Sequence, residues 1–596
     1  MRKPHYLRIN HKSETLRRLV FVDTESTQVV DVRGPIHHHL LFGWGAFTRR
    51  QHSRSWNSPE WFKFTTPGEF WNWVESKTAC RERLTVWCHN GSFDYPLVAF
   101  ASQLNSRGWR LANACIKSPP IVMRWRKGSR TIVLLDTLNI WRMSLKELGR
   151  MVGLTKLEMP ENWGDDIVDD AYCKRDVEII MLAVTSWLDW LIDSDFGSFR
   201  PTVAGQSMAA FRHRFLHERI LIDSDVRALS TARAAYHGGR VECHFIGHKS
   251  GRFFLVDINS LYPAMMIEHP YPLRLVSFLE HVKPGDLAAY LKSYCCCAYV
   301  RVETAEPFVP VVVKGKLVFP VGRFNAYMTT PELRYALENE KILDCQKLAV
   351  YEKGHPFREF LTYLYNSRRR VKADDEIVKA GHFKLLMNSF YGKWGQRGER
   401  WVTVGPAPPD EISFHPYVHA QTGQVVWHRR FAGLEQKQIR EDESFDSHPA
   451  IAAHVAAYGR MRLWTLIRKV PSEHYLYCDT DGLLVTEEGL ESLRDEIDEL
   501  ELGRLKVVSE HREVTIYGCK DYILDGKRTL KGVRETAEEV QPGTYRQDKW
   551  DSLVGQLRRG AINCPVHRRI TKTLRRQYEK GIVGPDGFVL PLHRWE

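Results

Sequence analysis

Two carboxylates one residue apart, in Tyr477-Cys478-Asp479-Thr480-Asp481, constrain this chain more than any other feature. They follow the apolar Tyr475-Leu476-Tyr477 and precede Gly482 and Leu483-Leu484-Val485. That pattern predicts a β-hairpin whose tip carries the acids, with Asp-Gly as the turn signal. Residues i and i+2 of a strand share a face, so Asp479 and Asp481 can point the same way. Two like charges that close repel unless a cation lies between them. Hard divalent ions take oxygen ligands, often one or two carboxylates together with substrate phosphates. Alone, such a tip is more often a solvated turn. Far upstream, however, Phe253-Phe254-Leu255-Val256-Asp257-Ile258-Asn259-Ser260-Leu261-Tyr262-Pro263 ends an apolar strand in another acid, and its polar turn with Pro263 opens a helix. Between the two, Lys384, Asn388 and Tyr391 fall at i, i+4 and i+7, one stripe of a helix that Gly392 can terminate. A cation, an amide and an aromatic on one face suit a phosphate, a sugar and a base.

In order along the chain, Asp-x-x-Ser-Leu-Tyr-Pro, Lys-x-x-x-Asn-Ser-x-Tyr-Gly and Tyr-x-Asp-Thr-Asp resemble motifs A, B and C of the family B DNA polymerases. One departure is Gly482, where a Ser usually follows the second motif C acid; the metal-binding role belongs to the acids, so the change is expected to be tolerated.

The N-terminal third carries its own acids. Leu19-Val20-Phe21-Val22 runs into Asp23-Thr24-Glu25; Asn90-Gly91-Ser92-Phe93-Asp94 and Tyr172-Cys173-Lys174-Arg175-Asp176 follow, the last opening a helical pattern over 177–192. These segments resemble the three motifs of a DEDD-type 3′–5′ exonuclease. The resemblance makes Asp23, Glu25, Asp94 and Asp176 the four acids holding two ions about a scissile phosphate, with Tyr172 orienting the water. Thr137-Leu138-x-x-Trp141 and Lys156-x-x-Met159 resemble the single-strand-binding and catalytic-lysine segments, and Asn90 and Phe93 fall among the strand contacts.

Composition sets bounds. A chain of 596 residues has room for roughly four compact units. The 85 basic against 72 acidic residues give +13, which suits a polyanionic partner. The twelve Cys include no CxxC pair, and Cys295-Cys296-Cys297 has the wrong spacing for a knuckle, so reduced thiols and no zinc are expected. His37-His38-His39 reads as a loop. The absence of a signal core or a long apolar span points to the cytoplasm, a host's if the gene is phage-borne, and the chain is expected to be a monomer.

The connections narrow the resemblance. Tyr236-His237-Gly238-Gly239 resembles the Tyr-x-Gly-Gly loop that contacts template. The stretches between motifs A and B and between B and C are longer than a bare catalytic core needs. Insertions at these places resemble the protein-primed branch of phages and linear plasmids. There the first insertion touches a terminal protein primer, and the second encircles DNA and supports strand displacement. The implied fold is mixed α/β and α+β and multidomain. An RNase H-like exonuclease (1–195) is followed by a connecting segment and the start of the palm (196–264). Then come the first insertion (265–360), fingers (361–394), second insertion (395–445), palm (446–510), and thumb with C-terminal region (511–596).

By the same resemblance, Asp257 and Asp481 bridge two Mg²⁺ ions (Mn²⁺ as a substitute), with Asp479 beside them and the carbonyl of Ile258 as a further ligand. Arg368, Lys372 and Lys384 surround the triphosphate of an incoming deoxynucleotide; Asn388 and Tyr391 shape the base-pair pocket, and Tyr262 excludes a 2′-hydroxyl. Arg460, in Ala457-Tyr458-Gly459-Arg460, and Lys520 and Tyr522, in Lys-x-Tyr, contact the primer strand, and the basic tail from His567 to Lys580 meets duplex phosphates. The alternatives are a nucleic-acid-primed or primer-independent family B polymerase and a non-catalytic DNA-binding relic. A reverse transcriptase is disfavoured, since its acids are adjacent and no exonuclease motifs precede them.

Overall fold

The computed structural model describes residues 2–31, 34–51, 55–160, 166–441 and 443–595. Two large sheets carry the two sets of acids.

In the N-terminal sheet, Arg18–Val30, Arg83–Cys88 and Arg130–Asp136 lie parallel and adjacent. Both faces are covered, as a parallel sheet requires. Leu19 and Phe21 face the long helix Asp166–Asp193 through Val177, Ile180 and Trp187, while Val20 and Val22 face Phe70, Trp71 and Val74 of Pro67–Ser76. That alternation is the period-two geometry of a strand buried on both sides. The helix predicted from 177 begins at least as early as Asp166, which puts Tyr172 and Asp176 inside it. The three histidines are not in a loop. They lie in Ile36–Arg49, paired with Val29, Gln28 and Thr27 of Arg18–Val30. His38 points inward, bonded to Ser26 at 2.9 Å and His567 at 2.8 Å.

His567 shows a second difference. Val566–Thr573 pairs with Ile36 and His37, so the strands Glu538–Gln541, Thr544–Trp550 and Val566–Thr573 extend the N-terminal sheet. Residues 511–596 therefore do not form one separate unit.

The central sheet is antiparallel. Its first five strands run in the order Val241–Cys243, Tyr475–Asp479, Gly482–Thr486, Gly247–Ile258 and Leu505–Gly518. The helices Leu261–Glu268 and Pro449–Lys469 contribute to the core on one face through Leu261, Met265, Val455 and Leu463. Against the same core lie Arg358–Ala373 and Ile377–Trp394. The latter passes through Gly392 and ends at Gly395, because the fully buried Trp394 is held by Phe357 and Phe390. Residues 271–354 form a further sheet, Tyr271–Val282, Lys341–Gly354, Cys295–Thr304 and Val321–Thr329, closed by the parallel edge strand His593–Trp595. Its Cys296, Val300 and Leu348 belong to the main core, so this insertion is packed into the body of the protein. Residues 398–441 make a four-stranded sheet. Among the described residues no helix is long and apolar enough to cross a membrane.

Candidate functional site: two acidic clusters

The acidic hairpin forms as expected, with one local difference. Asp479 pairs with Gly482, so the two turn residues are Thr480 and Asp481, and Thr480 takes the left-handed conformation at φ 62°. A β-branched residue rarely adopts it. Here it is held by Thr480 N–H donating to the Arg240 carbonyl at 2.7 Å. Next door, Gly239 leaves room for Thr480: a Cβ at 239 would lie 2.7 Å from Thr480 Cγ2. The Tyr-x-Gly-Gly loop is thus seated directly on the acid turn. Gly482, by contrast, is not demanded by space, since a Cβ there would meet nothing closer than 3.5 Å.

Asp257 closes Gly247–Ile258 and lies opposite Gly482 on one side and Lys506 on the other. The Ile258 N–H donates to the Asp481 carbonyl at 2.8 Å, which fixes the two acidic segments together. Burial, then Asp257, then Asp479 push the Asp481 carboxyl up to about 6. Two lysines partly offset this crowding: Lys506 Nζ is 3.2 Å from Asp257 and Lys520 Nζ is 3.3 Å from Asp479. Lys506 is absent from the expected set, and only strand register reveals it. Three carboxylates with the Ile258 carbonyl nearby are the all-oxygen donor set that hard divalent ions take.

A cavity of about 270 Å³ opens beside them, lined by Asp257, Ile258, Asp481, Arg368, Lys372, Lys384 and Asn388. Three stretches far apart in sequence, at 257–258, 368–388 and 481, therefore converge on one space. Burial lowers the Arg368 and Lys384 pKa values, and for Lys384 the nearby Arg368 and Lys506 lower it further. An anion entering here would relieve that cationic crowding. The Tyr262 ring lies 4.6 Å from that of Tyr391, and Tyr236 meets Tyr391 edge-on at 6.2 Å. Burial raises the Tyr262 phenol to about 12, so it stays protonated. Tyr522 packs its ring 5.3 Å from Tyr477.

Arg460 departs from expectation. Its side chain is 1% exposed and joined at 2.6 Å to Glu332, itself fully buried. Its remaining guanidinium nitrogen donates to the carbonyls of His237 and Gly238 at 3.0 and 2.9 Å. Held this way, Arg460 anchors the Tyr-x-Gly-Gly loop and presents no free face to a strand.

The second cluster gathers Asp23 and Glu25 from Arg18–Val30, Asp94 from Gly91–Leu97 and Asp176 from Asp166–Asp193. Thr24 Oγ1 donates to Asp94 at 2.7 Å, and Lys156 is ion-paired with Asp176 while lying 4.1 Å over the Tyr172 ring. Burial comes first in raising all four acids. For Asp23 the charges of Asp176, Asp94 and Glu25 follow; Glu25 and Asp94 each reach about 8. Four crowded carboxylates whose burial disfavours the charged form fit divalent cations, which would favour it again. Two participants were not expected. Cys173 places its thiol 3.6 Å from the Asp23 carboxylate. Asp136, at the end of Arg130–Asp136, accepts N–H bonds from Asn90, Gly91 and Leu138 at 3.1, 2.8 and 2.8 Å. It thereby ties the Asn90 turn to the Thr137-Leu138 turn. Thr137 itself is fully buried, its hydroxyl on the Cys88 carbonyl, so it supports that turn from below. Phe93 packs edge-on against Trp550 and His38 at 5.6 and 5.4 Å.

Comparison with known proteins agrees with this geometry. Residues 154–404 match the family described as DNA polymerase type B, organellar and viral. A probable DNA polymerase of Neurospora intermedia is 24% identical over 345 residues, which are 54% of this chain and 34% of that protein. The chain thus spans about a third of the length of that relative. The DNA polymerase of Bacillus phage phi29 is 22% identical over 458 residues, 71% of this chain and 72% of the relative. The fold of phi29 DNA polymerase, solved in complex with primer-template DNA, superposes with a TM-score of 0.69 at 17% identity, over 94% of this chain and 100% of that one. The matched stretch, somewhat under half of the chain, is similar to the type B DNA polymerases of the organellar and viral kind.

Proposed function

We propose that this protein is a DNA-directed DNA polymerase with a 3′–5′ proofreading exonuclease, starting from a terminal protein on a linear genome. The observation that carries the reading is the cavity in which Asp257 and Asp481 face Arg368, Lys372, Lys384 and Asn388. In the polymerising reaction, a primer 3′-hydroxyl attacks the α-phosphate of a bound deoxynucleotide and pyrophosphate leaves. Arg368, Lys372 and Lys384 hold the triphosphate and offset the charge that develops on it. Asn388 and Tyr391 frame the nascent pair, and the Tyr262 ring occupies the volume a 2′-hydroxyl would need. Lys520 and Tyr522 steady the primer end. Asp257, Asp479 and Asp481 would hold two Mg²⁺ ions, and Asp23, Glu25, Asp94 and Asp176 a second pair. Such ions stabilise the attacking and leaving oxygens of a phosphoryl displacement. In the nuclease, Tyr172 orients the attacking water and Lys156 keeps Asp176 placed; Asn90, Phe93 and Leu138 flank the incoming single strand.

On this reading the N-terminal sheet is the exonuclease, the central sheet the palm, and the helices Arg358–Ala373 and Ile377–Trp394 the fingers. Residues 271–354 and 398–441 are the two insertions. Their position between the catalytic segments, with the likeness to phage polymerases, supports protein priming. Template, primer and deoxynucleotides are the partners, in the cytoplasm of a host.

Mutation should separate the two chemistries. Asp481→Asn should abolish primer extension and leave degradation of a labelled single strand intact; Asp23→Ala with Glu25→Ala should do the reverse. Loss of both activities in either folded variant would refute the two-site assignment. Protein priming predicts transfer of an α-labelled nucleotide to a co-expressed terminal protein, resistant to boiling in detergent.

A further inference from the structure

The face of the central sheet turned away from the helices carries two thiols that the proposed reactions do not use. Cys243 ends Val241–Cys243, the strand that follows the Tyr-x-Gly-Gly loop, and pairs in register with Tyr477, two residues before Asp479. Cys519 lies in the turn between Leu505–Gly518 and Asp521–Leu524, next to Lys520. In sheet order three strands lie between Val241–Cys243 and Leu505–Gly518, yet the turn reaches the Val241 carbonyl. Cys519 Sγ donates to the Val241 carbonyl at 3.4 Å, and Cys519 packs against the small buried cluster to which Cys243 belongs. Cys243 is 2% exposed, whereas Cys519 is only half-buried. Lys580 Nζ donates to the same Val241 carbonyl at 2.8 Å, so an ammonium stands beside Cys519. The neighbouring Cys243 thiol, and then Lys580, hold the Cys519 thiol below its ordinary pKa. A half-buried thiol beside an ammonium, packed against a buried second thiol, is the arrangement of a reactive cysteine and its resolving thiol.

We propose that Cys243 and Cys519 are a redox-sensitive pair, which a hydroperoxide converts to a disulfide that clamps the Lys520 turn to the strand beside the acidic hairpin. The Cys519 thiolate attacks one peroxide oxygen, the O–O bond breaks, and a sulfenic acid forms with release of hydroxide. Cys243 then attacks the sulfenic sulfur; the S–S bond forms, the S–O bond breaks, and the thiol proton leaves with that oxygen as water. Two thiols lose two electrons and two protons, and one hydrogen peroxide becomes two waters. With the bond closed, Lys520 would be fixed against Asp479. That consequence rests on the polymerase reading of Asp479 and Lys520; formation of the disulfide does not.

The test uses the full chain exposed to hydrogen peroxide, denatured, alkylated and digested for mass mapping. A peptide joining Cys243 to Cys519 and lacking two hydrogens should appear, and dithiothreitol should remove it. In Cys519→Ser it should be absent and Cys243 should remain alkylatable. Cys519 recovered as sulfinic or sulfonic acid beside an alkylated Cys243, or joined to another cysteine, would overturn the pairing. The oxidised protein should extend a primer several-fold more slowly than the reduced one, with single-strand degradation unchanged and dithiothreitol restoring the rate. Unchanged extension with the pair joined would overturn the clamp. A reduced protein that extends nothing would count against the polymerase reading, and the mapping would then decide the pair by itself.

Discussion

Arg460 offers a test in which two readings of one residue predict opposite results. The Arg460–Glu332 pair is almost fully buried, at 2.6 Å, with 1% and 0% of the side chains exposed. Removing one partner of such a pair leaves an uncompensated charge, at a cost of about 3–5 kcal/mol. Among the described residues Glu332 then keeps only its bonds from the Thr329 N–H at 3.0 Å and the Thr329 hydroxyl at 3.2 Å, too little to satisfy a carboxylate alone. Arg460→Met and Glu332→Leu should therefore each cost about 4 kcal/mol. The double variant removes both charges. It should lose only about 2 kcal/mol, from the bonds to the His237 and Gly238 carbonyls and the helix cap, because an apolar replacement of a buried pair is nearly neutral. The coupling between the two sites is then about 6 kcal/mol, larger than contacting residues usually show. Urea unfolding of the four proteins of the cycle measures it, with hydrogen exchange at 236–239 as a local readout that does not assume a single global transition. Were Arg460 a phosphate contact instead, its loss would cut the salt slope of DNA binding by about 0.9. Coupling below about 0.5 kcal/mol together with a reduced salt slope would refute the anchoring role.

Three further outcomes follow from particular contacts. Tyr262→Val should raise ribonucleotide incorporation relative to deoxyribonucleotide in single-nucleotide assays, and an unchanged ratio would reject the steric role. Gly239→Ala should clash with Thr480, where the new Cβ would lie 2.7 Å from Cγ2, and cost about 1–3 kcal/mol; Thr480→Gly should rescue it, and failure to rescue would mean the strain lies elsewhere. His382 sits among Trp141, Trp187 and Trp190 with no hydrogen-bond partner among the described residues for either ring nitrogen, and burial holds its pKa at about 3 against an ordinary 6.5. The folded ring stays neutral while the unfolded one takes up a proton, so its contribution is complete above pH 6.5 and fades as pH falls toward 3, by about 1.4 kcal/mol per pH unit. His382→Phe should flatten the acid limb of stability by that one-proton slope; parallel curves for variant and wild type would exclude it.

What the sequence disclosed about the site was what local chemistry can encode. An apolar strand ending in an acid marks Asp257 and Asp23, and a one-residue spacing marks Asp479 with Asp481 and Asp23 with Glu25. A helical stripe marks Lys384 and Asn388, and the structure brings both to the cavity beside Asp257 and Asp481. Missed were residues whose role depends on register. Lys506 looks like any lysine until it lies opposite Asp257, and Glu332 resembles an ordinary helix-capping acid until Arg460 reaches it across the body of the protein. The His triad misled because three polar residues together resemble a loop, yet a strand needs only one inward position, and His38 fills it with bonds to Ser26 and His567. Gly392 misled for the opposite reason: glycine permits a helix to stop, but burial of Trp394 two residues later carries the helix past it. The C-terminal strands are the limiting case. Val566–Thr573 gains its place only by pairing with Ile36 and His37, and neither segment carries a mark of the other. Catalytic acids must keep particular neighbours to do their chemistry, so they leave local signatures; the residues that hold those neighbours in place need only complement a distant surface, and a single sequence does not record which surface that is.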